Sequence, residues 1–409
     1  MEARLHPRNV LIALDTTTKP SVALEALCAN FAGVVVTSAL QALPHVDEGY
    51  WLYVVGDVRA SCAALGVDSG AVLAVDGVST NNDRCSVVRL GEVPIRIPGI
   101  GVLYPQFFRE EDRLYDCLTA AHTFQTLQEG NKPGISYRKG IYITHVEETA
   151  EGCEFNLLRC STNLGGPTDD CRSDDYAILS AVNDLRMQTF EDSAELNHVL
   201  AQEYHNVVSE ETGKMKKASI STHSDKTKDM PRNATMAFAT FYSWKGEHPS
   251  CVSTDTDNFD LLYKGKTSVY TRLDWRLKEG VEPSEDKPAK VSVTLPPGSV
   301  LLISLSANRE YTHCTRPSVL PIDKIPTRLS YVMRSSTTVA VHRADGTTCI
   351  KAADGTLTQM RAPTKDDLDD LRAKYALENS TADVINYGPL VPYSMNAGDY
   401  LRPLLCSSP

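Results

Sequence analysis

Between Ala218 and Met333 the chain breaks into short runs of strand length, and this limits the fold more than any other feature. Ala218–Thr222, Ala234–Tyr242, Phe259–Lys264, Lys290–Thr294, Val300–Ser306 and Arg328–Met333 are too short for ordinary helices. Such a run fits a barrel-like or jelly-roll core. Ahead of it, Pro105–Glu129 and Asp174–Asn206 have helical spacing, while Val87–Pro98, Ile135–His145 and Glu154–Cys160 alternate like strands. Helices first and short strands afterwards predict an α+β arrangement with helices packed on antiparallel sheets.

The first 85 residues have a different texture. Asn9–Asp15, Gly33–Thr37, Tyr50–Val55 and Ala71–Val75 are short apolar runs, and Ser21–Phe31 between them has helical spacing, a pattern of βα units. The Leu14–Lys19 turn lacks the glycines of a phosphate loop, so Asp15 reads as a turn or helix cap. At 409 residues the chain is long enough for two to three domains. The sequence divides into a small α/β module (1–85), a core (86–340) with an insertion at about 245–288, and a polar C-terminal extension (341–409) whose Thr364–Ala376 segment is an acidic helix with a Thr cap.

A net charge of −11 argues against nonspecific attraction to nucleic acid or anionic membranes. No apolar run approaches the ~20 residues of a membrane helix, and Met1–Asn9 lacks a signal-peptide core, so a soluble, intracellular location (cytoplasm or nucleus) is expected. The 11 cysteines form no CxxC pair and read as reduced thiols.

The segment that carries chemistry is Lys217–Pro231, KASISTHSDKTKDMP. His223 and Asp225, two apart at a strand end, project to one face. Such a pair holds divalent iron only with a third ligand, and two His with one carboxylate form that facial set. His248, His313 and His342 follow; His313 is preferred because it ends the turn-strand-bend frame LPPGSVLLISLSANREYTH. Then comes RLSYVMR, with Arg328 and Arg334 on one face of a strand, roughly 20 Å apart at ~3.3 Å per residue. Two such guanidiniums suit the ends of a small dicarboxylate.

HSDK, PPGSVLLISLSANREYTH and RLSYVMR together resemble the AlkB-like branch of the Fe(II)/2-oxoglutarate dioxygenases. The resemblance spans roughly Gly99–Ser336 and implies a double-stranded β-helix (jelly-roll) core with flanking helices. By it, His223, Asp225 and His313 hold Fe(II), Arg328 pairs with the distal carboxylate of 2-oxoglutarate, and Arg334 lies near the chelating carboxylate. Molecular oxygen is the co-substrate, and the product is a hydroxylated or oxidatively demethylated substrate. The family's RxNxTxR strand has Ser330 and Val332 here, and its upstream Asn-x-Tyr is not matched, with Tyr204 and Asn206 out of place.

By the same resemblance, strands covering the substrate would carry Tyr137, Arg138, Tyr142, Asn156 and Arg159. Aromatic and basic residues interleaved in this way suit a stacked, modified nucleobase. Lys226 lies in a locally basic stretch with Lys214, Lys216, Lys217, Lys228 and Arg232. The acidity of the chain favours instead a small molecule or a protein side chain as substrate. A catalytically silent binding module on the same fold is the other class, with the N-terminal unit docking a partner. No feature sets an oligomeric state.

Overall fold

The computed structural model describes residues 1–14, 22–127, 137–160, 164–208, 213, 215–244, 268–388 and 390–406. Asp15, Lys214, His248, the Phe259–Lys264 run and the 245–267 part of the expected insertion lie outside the described residues. The chain is a mixed α+β protein with seven α-helices among the described residues.

Two sheets, antiparallel except where Asp169–Asp170 joins the larger one in parallel, surround the central core. The larger runs Arg138–Thr144, His198–Tyr204, Thr327–Arg334, Thr235–Ser243, Ser299–Ser304, Gly101–Tyr104, Ile95–Ile97, with Asp169–Asp170 outside the first strand. The smaller runs Ile220–His223, Tyr311–Arg316, Arg272–Leu277, Lys290–Thr294. From His198 onward the chain passes repeatedly between the two sheets, so residues distant in sequence meet between them. Met236, Phe238, Ile303 and Val332 of the larger sheet pack there against Leu273, Trp275 and Val293 of the smaller.

The turn that launches Ser299–Ser304 requires glycine. Gly298 has φ +69°, and a Cβ there would sit 2.2 Å from the Phe108 carbonyl oxygen. The strand is followed by a short helix, Leu305–Glu310, capped by the Ser304 hydroxyl accepting from the Ala307 amide. That helix is the expected bend, and it delivers Tyr311–Arg316 to the smaller sheet.

The outer face of the larger sheet is covered by helices Glu111–Ala121 and Ser173–Thr189, whose Leu118, Ile178, Val182 and Leu185 pack on Leu329, Tyr331 and Met333. Both helices are shorter than their sequence patterns. The second stops at Thr189, a turn with Asp192 at φ 53° follows, and His198–Tyr204 is a strand beside the arginine strand. Part of the expected insertion is also core, since Arg272–Leu277 pairs with the His313 strand.

At the N-terminus, Val34–Val36, Asn9–Ala13, Trp51–Asp57, Val72–Thr80 and Ser86–Val88 form a parallel sheet. The expected break after residue 340 falls inside Val339–His342, which pairs with Gly152–Asn156 of the core and leads into two further strands. The acidic helix is Lys365–Ser380, with the Thr364 hydroxyl and Asp367 carboxylate forming a capping box. Its face is not wholly solvated: Leu371, Tyr375 and Glu378 are buried. The ten described cysteines are free, and no helix among the described residues is long and apolar enough to cross a membrane.

Candidate metal centre

His223 and His313 are direct partners across the antiparallel pair Ile220–His223 and Tyr311–Arg316, which puts both imidazoles on the face turned to the larger sheet. Their ring centroids lie 4.5 Å apart. Trp275, across from His313 on the next strand, packs its ring 4.6 Å away, and Phe238 closes the far side at 5.9 Å. Asp225 follows two residues after the strand end. One ligand atom each from His223, Asp225 and His313 lies within 4.8 Å of the others, among the described residues the one such group of His, Cys, Asp or Glu.

The protonation states suit a cation. The His223 Nδ1–H donates to the Ser221 carbonyl at 2.9 Å, leaving Nε2, which lies 3.7 Å from Asp225 Oδ1, as the lone-pair nitrogen. Burial pushes the His223 pKa down, and burial together with the neighbouring His223 pushes His313 down to about 3, so both rings are neutral near pH 7. For Asp225 burial works against the charge, but Arg334 and the two histidines outweigh it and hold the carboxyl well below its usual range. An ionised carboxylate and two neutral imidazoles form a ligand set for a divalent metal with open positions.

The arginine strand forms the opposite wall. Arg328, Ser330, Val332 and Arg334 alternate toward the cavity, while Leu329, Tyr331 and Met333 face the helices. Arg334 is 2% exposed and its Nη2 lies 3.0 Å from Asp225 Oδ2. Its Nε and Nη1 have no hydrogen-bond partner among the described residues. Arg328 is 3% exposed, donates from Nη2 to Ser330 Oγ at 3.1 Å, and leaves Nε and Nη1 unpartnered. Among the described residues no carboxylate forms an ion pair with it. A buried guanidinium without a counter-ion is costly, so an anion of matching shape fits here.

Tyr204 is the residue that sequence reasoning set aside. It is the cross-strand partner of Arg328, its ring centroid lies 4.8 Å below the guanidinium carbon, and its hydroxyl donates to Gln202 Oε1 at 3.1 Å. Asn206 is spent accepting from the Ala218 amide. Asn308, on the short helix, was also missed: its Oδ1 accepts from the Asp225 amide at 2.9 Å and its Nδ2 donates to the Asp225 carbonyl at 3.0 Å.

A cavity of ≈350 Å³ joins the metal face to Arg328, walled by Leu200, Phe238, Leu273 and Val332. Of the substrate candidates, Arg138 and Lys226 line it. Tyr142 is buried outside it, its hydroxyl 3.5 Å from the Cys160 sulfur. Arg159 is buried in an ion pair with Asp229 and donates to the Val391 and Tyr393 carbonyls, which ties down the C-terminal segment. Asn156 lies on the Gly152–Asn156 strand opposite Val339, and Tyr137 carries the Lys216 ammonium over its ring. Lys217 and Lys228 also have internal partners, so part of the basic stretch of the sequence is turned inward. His342 sits on a separate sheet, its Nδ1 2.9 Å from the Thr348 hydroxyl.

No family model and no curated protein matches the chain. Among solved structures it is similar to a prolyl hydroxylase in complex with a hypoxia inducible factor oxygen degradation domain peptide fragment from Trichoplax adhaerens. That likeness has 10% sequence identity and a TM-score of 0.27 and covers 55% of this chain and 76% of the other. At that TM-score it decides nothing about chemistry.

Proposed function

We propose that the chain is an Fe(II)- and 2-oxoglutarate-dependent oxygenase on a double-stranded β-helix core. The observation that carries this reading is the conjunction of a His-Asp-His group and, across one cavity, a buried arginine that no carboxylate among the described residues neutralises. His223, Asp225 and His313 hold the iron. Bound there with 2-oxoglutarate, it supplies oxygen activation coupled to loss of CO2 and release of succinate.

The chain's own residues do the rest. Arg328, seated on Tyr204, takes the distal carboxylate of 2-oxoglutarate. Arg334 keeps Asp225 ionised and offers its unpartnered N–H groups toward the near carboxylate. Phe238, Leu273 and Trp275 keep water from the metal face, where a low local dielectric strengthens these contacts.

The substrate is hydroxylated or oxidatively demethylated at this cavity, which Arg138 lines. A modified nucleobase, the substrate of an AlkB-like enzyme, loses support because Tyr142 and Arg159 are engaged elsewhere. A small molecule or a protein side chain is the reading we favour. Anaerobic addition of Fe(II) and 2-oxoglutarate is expected to give a visible charge-transfer band that His223→Ala abolishes. No band and no succinate under any condition would refute the oxygenase and leave the binding module.

A further inference from the structure

We infer that Glu378 and Asn379, at the end of the C-terminal helix, are positioning residues of the metal centre, an inference that rests on His223, Asp225 and His313 being metal ligands. Asp225 lies just beyond a strand end, where backbone amides lose their ladder partners and need others. Side chains supply them. The Ser224 amide donates to Asn379 Oδ1 at 2.8 Å, the Asp225 amide to Asn308 Oδ1 at 2.9 Å, and the Thr227 amide to Glu378 Oε1 at 3.0 Å. The same Glu378 oxygen accepts from the Thr227 hydroxyl. Two of the three amides around the metal carboxylate are thus held by one turn of a helix more than 150 residues downstream.

The helix end is fastened in return by two lysines. Lys226, next to Asp225, donates from Nζ to the Tyr375 carbonyl and to Asn379 Oδ1, both at 3.2 Å. Lys278, which follows the strand bearing Trp275, donates to the carbonyls of Glu378 at 2.6 Å and Thr381 at 3.0 Å. Cations at the carbonyl end of a helix complement its dipole. Both segments that shape the metal face, the Asp225 loop and the Trp275 strand, are therefore tied to the same helical turn. Lys226, a substrate candidate by sequence, serves here as a helix anchor.

Groups that orient metal ligands are typically worth about 10–100-fold in metal affinity. The test is Co(II) titration of the full chain, read by the visible absorption of the bound ion, with thermal unfolding of the metal-free protein alongside. Asn379→Ala and Glu378→Ala are each expected to weaken Co(II) about 10–100-fold and to change the band shape. Asn379→Asp, which keeps an acceptor oxygen, is expected to restore most of the affinity. Thr364→Ala removes the cap at the other end of the helix, where caps are worth ~1 kcal/mol, and is expected to lower stability with Co(II) affinity unchanged.

Equal affinity in Asn379→Ala and wild type overturns the inference, as does a Thr364→Ala loss matching that of Asn379→Ala. Should Asn379→Ala not fold, Glu378→Gln, which retains one carbonyl oxygen, carries the comparison against Glu378→Ala. A wild-type chain that binds no Co(II) overturns the metal reading itself, and needs no variant to show it.

Discussion

Replacing Arg328 by Met tests whether this arginine serves the fold or a ligand. Arg328 is 3% exposed, with Ser330 Oγ at 3.1 Å, Thr240 Oγ1 at 3.5 Å and the Tyr204 ring centroid at 4.8 Å. Taking one ion out of water costs several kcal/mol even after relaxation. Against this stand one good hydrogen bond from a charged donor, about 1.5–3 kcal/mol, and a desolvated cation–π contact of about 2 kcal/mol. The terms nearly cancel, so Arg328→Met should leave the ligand-free protein within about 1 kcal/mol of wild type, whereas breaking a buried structural pair costs ~3–5 kcal/mol. Binding behaves differently. Losing a buried charge partner for the distal carboxylate removes ~3–5 kcal/mol, or two to nearly four decades of affinity at ~1.4 kcal/mol each. Anaerobic urea unfolding with metal, with and without 2-oxoglutarate, measures both. At 100 times its Kd the ligand should stabilise wild type by ~2.7 kcal/mol and the variant not measurably. A ligand-free loss above ~2 kcal/mol, or an undiminished ligand shift, would refute the argument.

Other outcomes follow from the same contacts. Tyr204→Leu removes the ring beneath Arg328 and is expected to weaken 2-oxoglutarate about five- to thirtyfold, the worth of ~1–2 kcal/mol, with metal affinity unchanged in calorimetry. Arg159→Met takes the guanidinium from the Asp229 carboxylate, 3% exposed, which keeps Lys228 and the Thr338 hydroxyl, and should cost up to ~3–5 kcal/mol in urea unfolding and expose the Val391–Tyr393 segment to protease. His122 is buried, which opposes its charge, but its nitrogens lie 2.8 and 2.9 Å from Asp169 and Asp175, and the balance raises its pKa to about 9. Its stabilising contribution is complete below the unfolded value of 6.5 and is lost as pH rises through 9. Unfolding free energy should therefore fall across that window in wild type, and a His122→Gln variant with the same slope would contradict this.

What the sequence made legible has a common physical form. His223 and Asp225, two apart at a strand end, and Arg328 and Arg334, on one strand face, lie where side-chain direction follows from counting, while His313 is marked by the turn-strand-bend frame before it. His198–Tyr204 did not yield to counting. Val199, Leu200 and Ala201 are buried on both faces, so the period of two that marks a half-buried strand is absent, and the run continued the preceding helical pattern. With that strand misread, Tyr204 was placed away from Arg328. Residues such as Asn308 and Glu378 act through contacts 83 and 151 positions away in sequence, and no local pattern encodes those. The same holds for charge: of the lysines that cluster in sequence, Lys226 points into a carbonyl of the C-terminal helix, Lys217 into the Ser318 and Leu320 carbonyls, and Lys228 pairs with Asp229.

The arginine strand also shows how the site is held from behind. Between the two cavity-facing arginines, Tyr331 points the other way, into the helical layer, and its hydroxyl donates to the Asp175 carboxylate. Asp175 in turn bonds His122, which bonds Asp169, itself paired with Arg172. Tyr331 thus anchors the strand at its middle, through Asp175 of helix Ser173–Thr189, to a buried charged network. A strand pinned this way cannot slide by one residue without turning Arg328 and Arg334 into the helices and Tyr331 into the cavity. The buried charges on the far side consequently fix the register on which the spacing between the arginines and the metal ligands depends.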